Sequence, residues 1–321
     1  MLSGSVQNLT DTGRIDARAP GRNLEPHTFH TVSIVLSPLK IKVRSDDGAS
    51  SKITVFPALD ERAPTIICMP AMGVKASFYE PLAHNFVKKG LNVVTADLRG
   101  HGDSGIRPSR TSDFGYGDMV VYDWPCIIDQ TKNHFPDSLK IILGHSLGGQ
   151  LSTLYLSEKP EKATGLILVA APSLYYRDWP FPHGLRLLLM TQTFALIASV
   201  LGYHAGKKLR IGGTEARRLV SDWARIARKG RYDMIRKGVD YEKLSRNLEM
   251  PVLSISFSDD GFAPKRAGDR LCQRMPLAEL TRWHLTPGDL GCSSLGHFSW
   301  VKQSERLVSM ITNWIEAVSM S

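Results

Sequence analysis

Gly144-His145-Ser146-Leu147-Gly148-Gly149 is the stretch that decides the fold, and it follows directly on the apolar run Leu139–Leu143. The pattern is that of a strand ending in a G-x-S-x-G turn. Such a turn forces its central residue into a strained backbone conformation, and side chains two positions before and after it would collide. Glycine at both of those positions removes the collision. The sequence therefore predicts a strand that ends at a sharply turned serine.

The segment that follows the turn predicts a helix. Leu151, Leu154 and Tyr155 recur at helical spacing. The N-terminus of this helix would point at Ser146, where its dipole and free N–H groups favour an oxyanion. G-x-S-x-G also arises by chance in loops rich in glycine and serine, but the strand before it and the helix after it supply the required context. Ser146 is therefore a candidate nucleophile.

Further apolar runs with strand character flank this turn, at residues 65–69, 91–96, 163–172, 251–257 and 279–285. The first leads into Pro70-Ala71-Met72-Gly73. The second leads into Asp97-Leu98-Arg99-Gly100-His101-Gly102-Asp103-Ser104, a D-x-R-G-x-G-x-S turn. With these motifs the chain resembles the α/β-hydrolases from about Ile53 to the C-terminus. The resemblance implies an α/β fold with a mostly parallel, doubly wound sheet, and helical patterns between the strands, as at residues 79–90, agree with it.

The gap between the run that ends near Ala171 and the run that starts at Pro251 is far longer than an ordinary connection. In α/β-hydrolases this slot commonly holds a helical cap over the active site. We therefore expect a flexible N-terminal tail at 1–30, a hydrolase core at 31–171, a helical cap at 172–250 and the second part of the core at 251–321. The apolar segment Leu187–Leu201 is shorter than the roughly 20 residues that span a bilayer and has polar residues at its middle, so we expect a buried or lid helix there.

Composition favours an ordinary globular protein. Of the 321 residues, 42% are hydrophobic and 22% are charged. The four cysteines show no C-x-x-C spacing, which indicates reduced thiols rather than a disulfide or zinc framework. Residues 1–22 contain no apolar stretch typical of a signal peptide, so we expect a cytoplasmic protein. No G-x-G-x-x-G follows the first strand, and we expect neither a cofactor nor a metal ion.

Positive charge is concentrated in the predicted cap. The chain carries a formal net charge of +9, and between Leu185 and Met250 fourteen Lys and Arg residues stand against six Asp and Glu residues. A helix is predicted from Thr214, as a possible N-cap, to Lys229, with Gly230 as its stop. Its arginines lie off the apolar face: Arg217, Arg218, Arg225 and Arg228.

Two interpretations of this charge stay open. The arginines form either a solvated helix face or a surface for an anionic partner, such as a phosphopantetheine thioester, an acidic carrier domain or an anionic membrane. Nucleic acid is not expected, because no helix-turn-helix, zinc or RNA-binding signature accompanies the charge.

The resemblance also implies a catalytic triad in the order Ser, acid, His. Gly296-His297-Phe298 precedes an amphipathic helix, predicted over 304–318, and matches the loop where these enzymes place the histidine. The run at 258–264 resembles the D-x-x-x-P acid loop; the offset to Pro264 selects Asp260, with Asp259 as the runner-up. The backbone N–H of Leu147 would supply one oxyanion donor, and the Met72 N–H the second.

The function expected from these residues is a serine hydrolase that cleaves a small-molecule ester or thioester through an acyl-enzyme on Ser146. An acyltransferase or a carrier or coenzyme A thioesterase would use the same triad. A hydrolase-like scaffold that only binds a ligand is a third class, but such scaffolds usually lack one of the triad residues. We assign His101 and His145 to structure, together with the charged residues of the D-x-R-G-x-G-x-S turn: Asp97, Arg99 and Asp103.

Overall fold

An eight-stranded sheet forms the centre of the fold in the computed structural model, which describes residues 36–206, 213–233 and 235–320. The strands are β1 Leu39–Arg44, β2 Ser50–Phe56, β3 Thr65–Met69, β4 Asn92–Ala96, β5 Lys140–His145, β6 Gly165–Val169, β7 Tyr203–Ala205, β8 Thr214–Ala216, β9 Pro251–Phe257 and β10 Glu279–Leu285. The sheet has the order β1-β2-β4-β3-β5-β6-β9-β10, and β7 and β8 form a separate two-stranded ribbon. The six strands from β4 to β10 in this order run parallel, which confirms the predicted α/β-hydrolase fold.

Two hydrophobic cores lie on opposite faces of this sheet. Alternate side chains of β3 enter different cores: Ile67 and Met69 belong to one, and Ile66 and Cys68 to the other. All residues of β3 and of β6 are buried. Strands of this kind, buried on both faces, have nearly continuous apolar sequences rather than alternating ones, which is why the runs could be recognised as strands.

Helices cover the two faces. They are α1 Glu80–Lys88, α2 Trp124–His134, α3 Leu147–Glu158, α4 His183–Leu201, α5 Arg217–Lys229, α6 Tyr241–Arg246, α7 Lys265–Cys272, α8 Pro287–Leu290 and α9 Glu305–Met320. Three residues at Tyr116–Asp118 and a π-helical turn at Met119–Asp123 lead directly into α2. The helix predicted over 304–318 is therefore present as α9, with its ends shifted by one or two residues.

The predicted start of the basic helix was wrong. Residues Thr214–Ala216 pair with β7 as strand β8, so α5 begins at Arg217 and its N-cap is Ala216 rather than Thr214. A polar residue before an apolar pattern is a good N-cap signal, but here the strand pairing takes that residue out of the helix. The predicted stop is confirmed, since Gly230 caps the helix with a left-handed φ of 68°.

The segment between β6 and β9, residues 170–250, is called the inserted segment below; it carries α4, the β7–β8 ribbon, α5 and α6. Helix α4 packs on α5. Of the two alternatives expected for this helix, the buried one was wrong, and the lid stays a prediction. Its buried residues are small or polar, Gly184, Thr191 and Ala198.

The solvent face of α4 is apolar instead. It carries the exposed residues Leu185, Leu189, Met190, Leu196 and Val200. At 19 residues, α4 is also long and apolar enough to cross a membrane by length and composition. A surface helix normally buries its apolar side, so this helix has the reverse distribution.

Strands β1 and β2 were not identified from the sequence. They pair with each other in antiparallel fashion, and β2 continues the sheet by pairing antiparallel with β4. An antiparallel edge on an otherwise parallel sheet is common in α/β folds. The predicted N-terminal tail at 1–30 lies outside the described residues.

Candidate active site

The candidate nucleophile lies at the carboxyl end of β5. Ser146 has φ of 52° and ψ of −114°, a strained conformation for a residue with a side chain. A Cβ placed on Gly144 would lie 2.4 Å from the Gly149 Cα, and one on Gly148 would lie 2.2 Å from the Met69 carbonyl oxygen. The turn is therefore closed only because both positions are glycine, as the sequence predicts.

Two backbone N–H groups are the predicted oxyanion donors for this serine. Leu147 opens α3, and the first N–H groups of a helix have no intrahelical partner. The loop after β3 lies against the elbow through Gly148. In that loop the Ala71 N–H is already used, because it donates to the Tyr79 hydroxyl oxygen at 3.0 Å. The Met72 N–H forms no hydrogen bond with any described residue. The predicted oxyanion donors, Leu147 and Met72, are thus both available, and their role stays a prediction.

The structure brings Asp260 and His297 together. Asp260 Oδ2 lies 2.8 Å from His297 Nδ1, and both residues are buried. The other oxygen, Asp260 Oδ1, accepts hydrogen bonds from the backbone N–H groups of Phe262 at 2.7 Å and Ala263 at 3.0 Å. This fixes the carboxylate, so that it can hold Nδ1 in its protonated form and leave Nε2 as the basic nitrogen.

Asp259, the carboxylate next to Asp260 in the chain, binds backbone groups. Asp259 accepts hydrogen bonds from the backbone N–H groups of Leu295 at 2.9 Å and Gly296 at 3.0 Å, and from the Ser294 hydroxyl at 3.0 Å. Burial opposes the charged form of Asp259, but these hydrogen bonds outweigh it and lower the pKa of Asp259 below its usual value. Asp259 therefore clamps the loop that carries His297.

His145 and Tyr79 connect the elbow with the loop after β3. The Tyr79 hydroxyl accepts a hydrogen bond from the Ala71 N–H at 3.0 Å and forms a second hydrogen bond with His145 Nδ1 at 2.7 Å. Complete burial holds the pKa of His145 well below its usual range, and the nearby His297 lowers it further. His145 thus stays neutral beside the candidate base, in the structural role expected of it. Tyr79 was missed, because no sequence signal links it to the serine 67 positions later.

The serine elbow lies next to the loop that carries His297, because the ring of His145, which directly precedes Ser146, lies 5.0 Å from the ring of His297. Ser146 Oγ forms no hydrogen bond with any described residue. In structures without substrate such contacts are often long and tighten only in the complex. Two partly or largely exposed aromatic rings stand beside His297, that of Phe298 at 4.7 Å and that of Phe262 at 5.6 Å between ring centroids. The site is therefore bordered by apolar surface.

The turn after β4 is a structural junction. Arg99 binds Asp123 through two hydrogen bonds of its Nε at 2.9 Å, and it contacts Asp47 at 2.9 Å. Asp97 accepts from the backbone N–H of Ala76 at 2.8 Å. Arg99 is thus ion-paired and Asp97 is held by a backbone N–H, and the absence of a catalytic role stays a prediction for both. His101 of the same turn instead contacts Glu215 of the inserted segment, at 3.3 Å.

The arginines of α5 are largely neutralised. Arg217 contacts Asp113 at 3.0 Å, Arg218 contacts Asp118 at 2.9 Å, and Arg225 contacts Asp222 at 2.8 Å. Among the described residues, Arg228 alone of the four predicted arginines has no carboxylate partner. Most arginines of the predicted basic face therefore form ion pairs within the chain. The basic residues at 207–212 lie outside the described residues.

The described residues contain no group of three or more His, Cys, Asp or Glu side chains that could hold a metal ion. All four cysteines are free thiols: Cys68, Cys126, Cys272 and Cys292. Burial raises the pKa of the Cys68 thiol, so this residue behaves as an inert core side chain.

Comparisons with known proteins agree with this fold. A profile described as Hydrolase_4, serine aminopeptidase S33, matches residues 60–288. Monoglyceride lipase of Mus musculus is 33% identical over 92 residues, 29% of this chain and 29% of that protein. Monoacylglycerol lipase of Mycolicibacterium smegmatis is 30% identical over 107 residues, 33% of this chain and 37% of that protein. The chain thus aligns with about a third of the length of these relatives.

Among solved structures, an esterase from Exiguobacterium antarcticum superimposes with a TM-score of 0.56 at 15% identity, covering 86% of this chain and 98% of that one. At this level of identity the similarity shows the fold alone.

Proposed function

Because the chain belongs to the serine aminopeptidase S33 family of α/β-hydrolases, we propose that it is a serine hydrolase that cleaves a carboxylic ester through an acyl-enzyme on Ser146. The observation that carries this proposal is the strained serine at the elbow beside the buried pair of His297 and Asp260. A serine needs a nearby base to become nucleophilic, and the base needs an orienting carboxylate.

In the proposed mechanism, His297 Nε2 takes the proton from Ser146 Oγ as this oxygen attacks the ester carbonyl. The N–H groups of Leu147 and Met72 then donate to the oxyanion of the tetrahedral intermediate. His297 returns the proton to the leaving alcohol, and the acyl group remains on the serine. Water activated by His297 releases the acid. Asp260 stabilises the imidazolium in both halves of the reaction.

The substrate class that we propose is an ester with an apolar acyl chain. The two lipases described above, at 33% and 30% identity, are named for monoglycerides and monoacylglycerols, which are esters of this kind. Phe262 and Phe298 border the site, and α4 presents an apolar face to solvent. A thioester of coenzyme A or of a carrier would suit the same triad, and the neutralised arginines of α5 offer it little support.

The proposal is tested by fluorophosphonate labelling and by kinetics. Ser146→Ala should abolish labelling and lower kcat for a p-nitrophenyl ester by about a thousandfold or more, since a triad nucleophile is lost. Ser199→Ala, which alters an exposed serine on α4, is the matched control and should label like the native protein. Labelling that persists at another serine in folded Ser146→Ala would overturn the assignment. Acyl-CoA thioesters beside esters of increasing chain length then separate the two substrate classes.

A further inference from the structure

Glu215 is a buried carboxylate beside the candidate oxyanion loop. It lies on β8, and 4% of the residue is exposed. Its Oε1 lies 3.7 Å from where a Cβ on Gly73 would stand, and Gly73 directly follows Met72. The inserted segment therefore delivers a negative group to the loop whose N–H is expected to bind the oxyanion.

The partners of this carboxylate are incomplete. His101 Nε2 lies 3.3 Å from Glu215 Oε2, and the exposed fractions of the two side chains are 9% and 5%. Neither of these two atoms forms a hydrogen bond with a described residue, although both are buried. Glu215 Oε1 likewise forms no hydrogen bond within the described part of the chain. Buried polar atoms are nearly always hydrogen-bonded, so a buried carboxylate without hydrogen bonds is unusual and calls for a structural or functional explanation.

A carboxylate at this position is unfavourable for the proposed reaction unless something offsets it. The tetrahedral intermediate carries a negative charge in the oxyanion hole, and a second negative charge nearby repels it. Two groups can compensate: a protonated His101, or a hydrogen-bond donor that belongs to the substrate. His101 lies 3.3 Å from Oε2, and Oε1 faces the loop at Gly73.

We propose that Glu215 is a specificity-determining residue, which accepts a hydrogen bond from a hydroxyl or ammonium group of the substrate close to the scissile ester. Oε1 is the accepting atom, and His101 holds the carboxylate in place through Oε2. Such a site favours a substrate that carries a hydrogen-bond donor. A substrate without this donor would leave the acceptor oxygen unpaired, which costs binding energy.

The inference rests on the proposed ester hydrolysis and adds a polar requirement to it. A brace between the inserted segment and the turn after β4 is the competing role for the pair of Glu215 and His101. A brace would affect all substrates alike. A specificity role changes the ratio between substrates of equal size, and that ratio is what needs to be measured.

Three pairs of esters of nearly equal size separate these roles. Hydroxyethyl butyrate is compared with propyl butyrate, and dimethylaminoethyl butyrate with isopentyl butyrate, for a donor in the alcohol. Ethyl hydroxybutyrate is compared with ethyl isovalerate for a donor in the acyl part. In the native protein we expect kcat/KM to favour the donor-bearing ester by about tenfold or more in at least one pair.

Glu215→Gln then identifies the donor. The glutamine side chain keeps a neutral acceptor oxygen, so a preference for the hydroxyl-bearing ester should fall severalfold. A preference for the ammonium-bearing ester depends on the negative charge and should be lost. Glu158→Gln is the matched control, because Glu158 of the core pairs with Arg236 of the inserted segment at 2.6 Å. Its ratios should match those of the native protein.

Ratios near one in all three pairs of the native protein would overturn the inference without any variant. Equal losses on both members of each pair in Glu215→Gln would do the same and assign the brace role. Failure of the native protein to turn over any ester, with no fluorophosphonate labelling, would instead overturn the proposed hydrolysis.

Discussion

Asp259 and Asp260 are adjacent in the chain, but their side chains work on different parts of the site. Asp260 Oδ2 binds His297 Nδ1, whereas Asp259 holds the backbone that precedes His297. Asp260→Asn should therefore lower kcat by about a thousandfold or more, because the amide no longer fixes the reactive tautomer. Asp259→Asn should cost less than tenfold. Steady-state kinetics of the two purified variants checks this, and equal losses would transfer the role to Asp259.

The lowered pKa of Asp259 predicts a dependence of stability on pH. Its folded pKa lies below the unfolded value of 3.8, so its contribution is fully present above 3.8 and is lost as the pH falls through the folded pKa. Asp259→Asn should thus be less stable than the native protein at neutral pH, by less than about 1 kcal/mol, because solvent screens this exposed carboxylate. Urea unfolding at several pH values should show this difference shrink as the pH drops below about 4. A difference that does not change with pH would contradict the assignment.

For single residues, the sequence predicts those roles that depend on spacing along the chain. Ser146 follows from its two glycines, and the offset of Asp260 from Pro264 selected the carboxylate that contacts His297. Tyr79 and Glu215 could not be found in this way, because their roles arise from contacts between distant segments. His145 is 66 positions from Tyr79, and no periodicity encodes that distance. His101 was assigned to structure on its motif, and its contact with Glu215 depends on where the inserted segment folds.

Among the elements, α4 departs most from ordinary patterning. Its exposed leucines and valine recur at spacings of four and seven positions, so they form one stripe along the helix. The sequence alone gave no means of deciding which side of such a uniformly apolar helix is buried. Packing against α5 decides it, because Gln192 donates a hydrogen bond to the Ala224 carbonyl at 2.9 Å and turns the polar side inward.

Replacing three residues of this stripe should separate two kinds of substrate. In the variant Leu189→Ser, Leu196→Ser and Val200→Ser, we expect turnover of an ester presented on lipid vesicles to fall about tenfold or more, because apolar contact with the vesicle is lost. Turnover of a soluble short-chain ester should change less than twofold. Vesicle co-sedimentation measures the binding directly.

The matched control changes the same helix without altering the stripe. Ser199→Ala and Thr193→Val leave the leucines in place and should bind vesicles as the native protein does. If the serine variant loses activity on both kinds of substrate, its effect is on folding. If it loses activity on neither, α4 is not a lipid-binding surface.

For the whole molecule, the central sheet was predictable and its edge was not. Strands β3, β4, β5 and β6 are buried on both faces and have apolar runs that identify them. At the edge, β1 alternates charged and apolar residues, with Lys40 and Lys42 exposed. Short runs of this kind are also found in loops, and lysines on an edge strand protect it from pairing with other chains. The order of the strands depends on contacts that the sequence does not display.

The position of the inserted segment has a consequence for how the protein is made on the ribosome. Strand β6 pairs with β9, but roughly 80 residues separate them in the chain. At about 5–20 residues per second, several seconds pass between the synthesis of the two strands. Throughout this interval the growing chain exposes an unpaired, apolar strand edge, joined by the leucines of α4 once residues 183–201 have been made. The nascent protein is therefore a candidate client for chaperones that bind unfolded apolar segments, at a stage when most of its parallel sheet has already been synthesised.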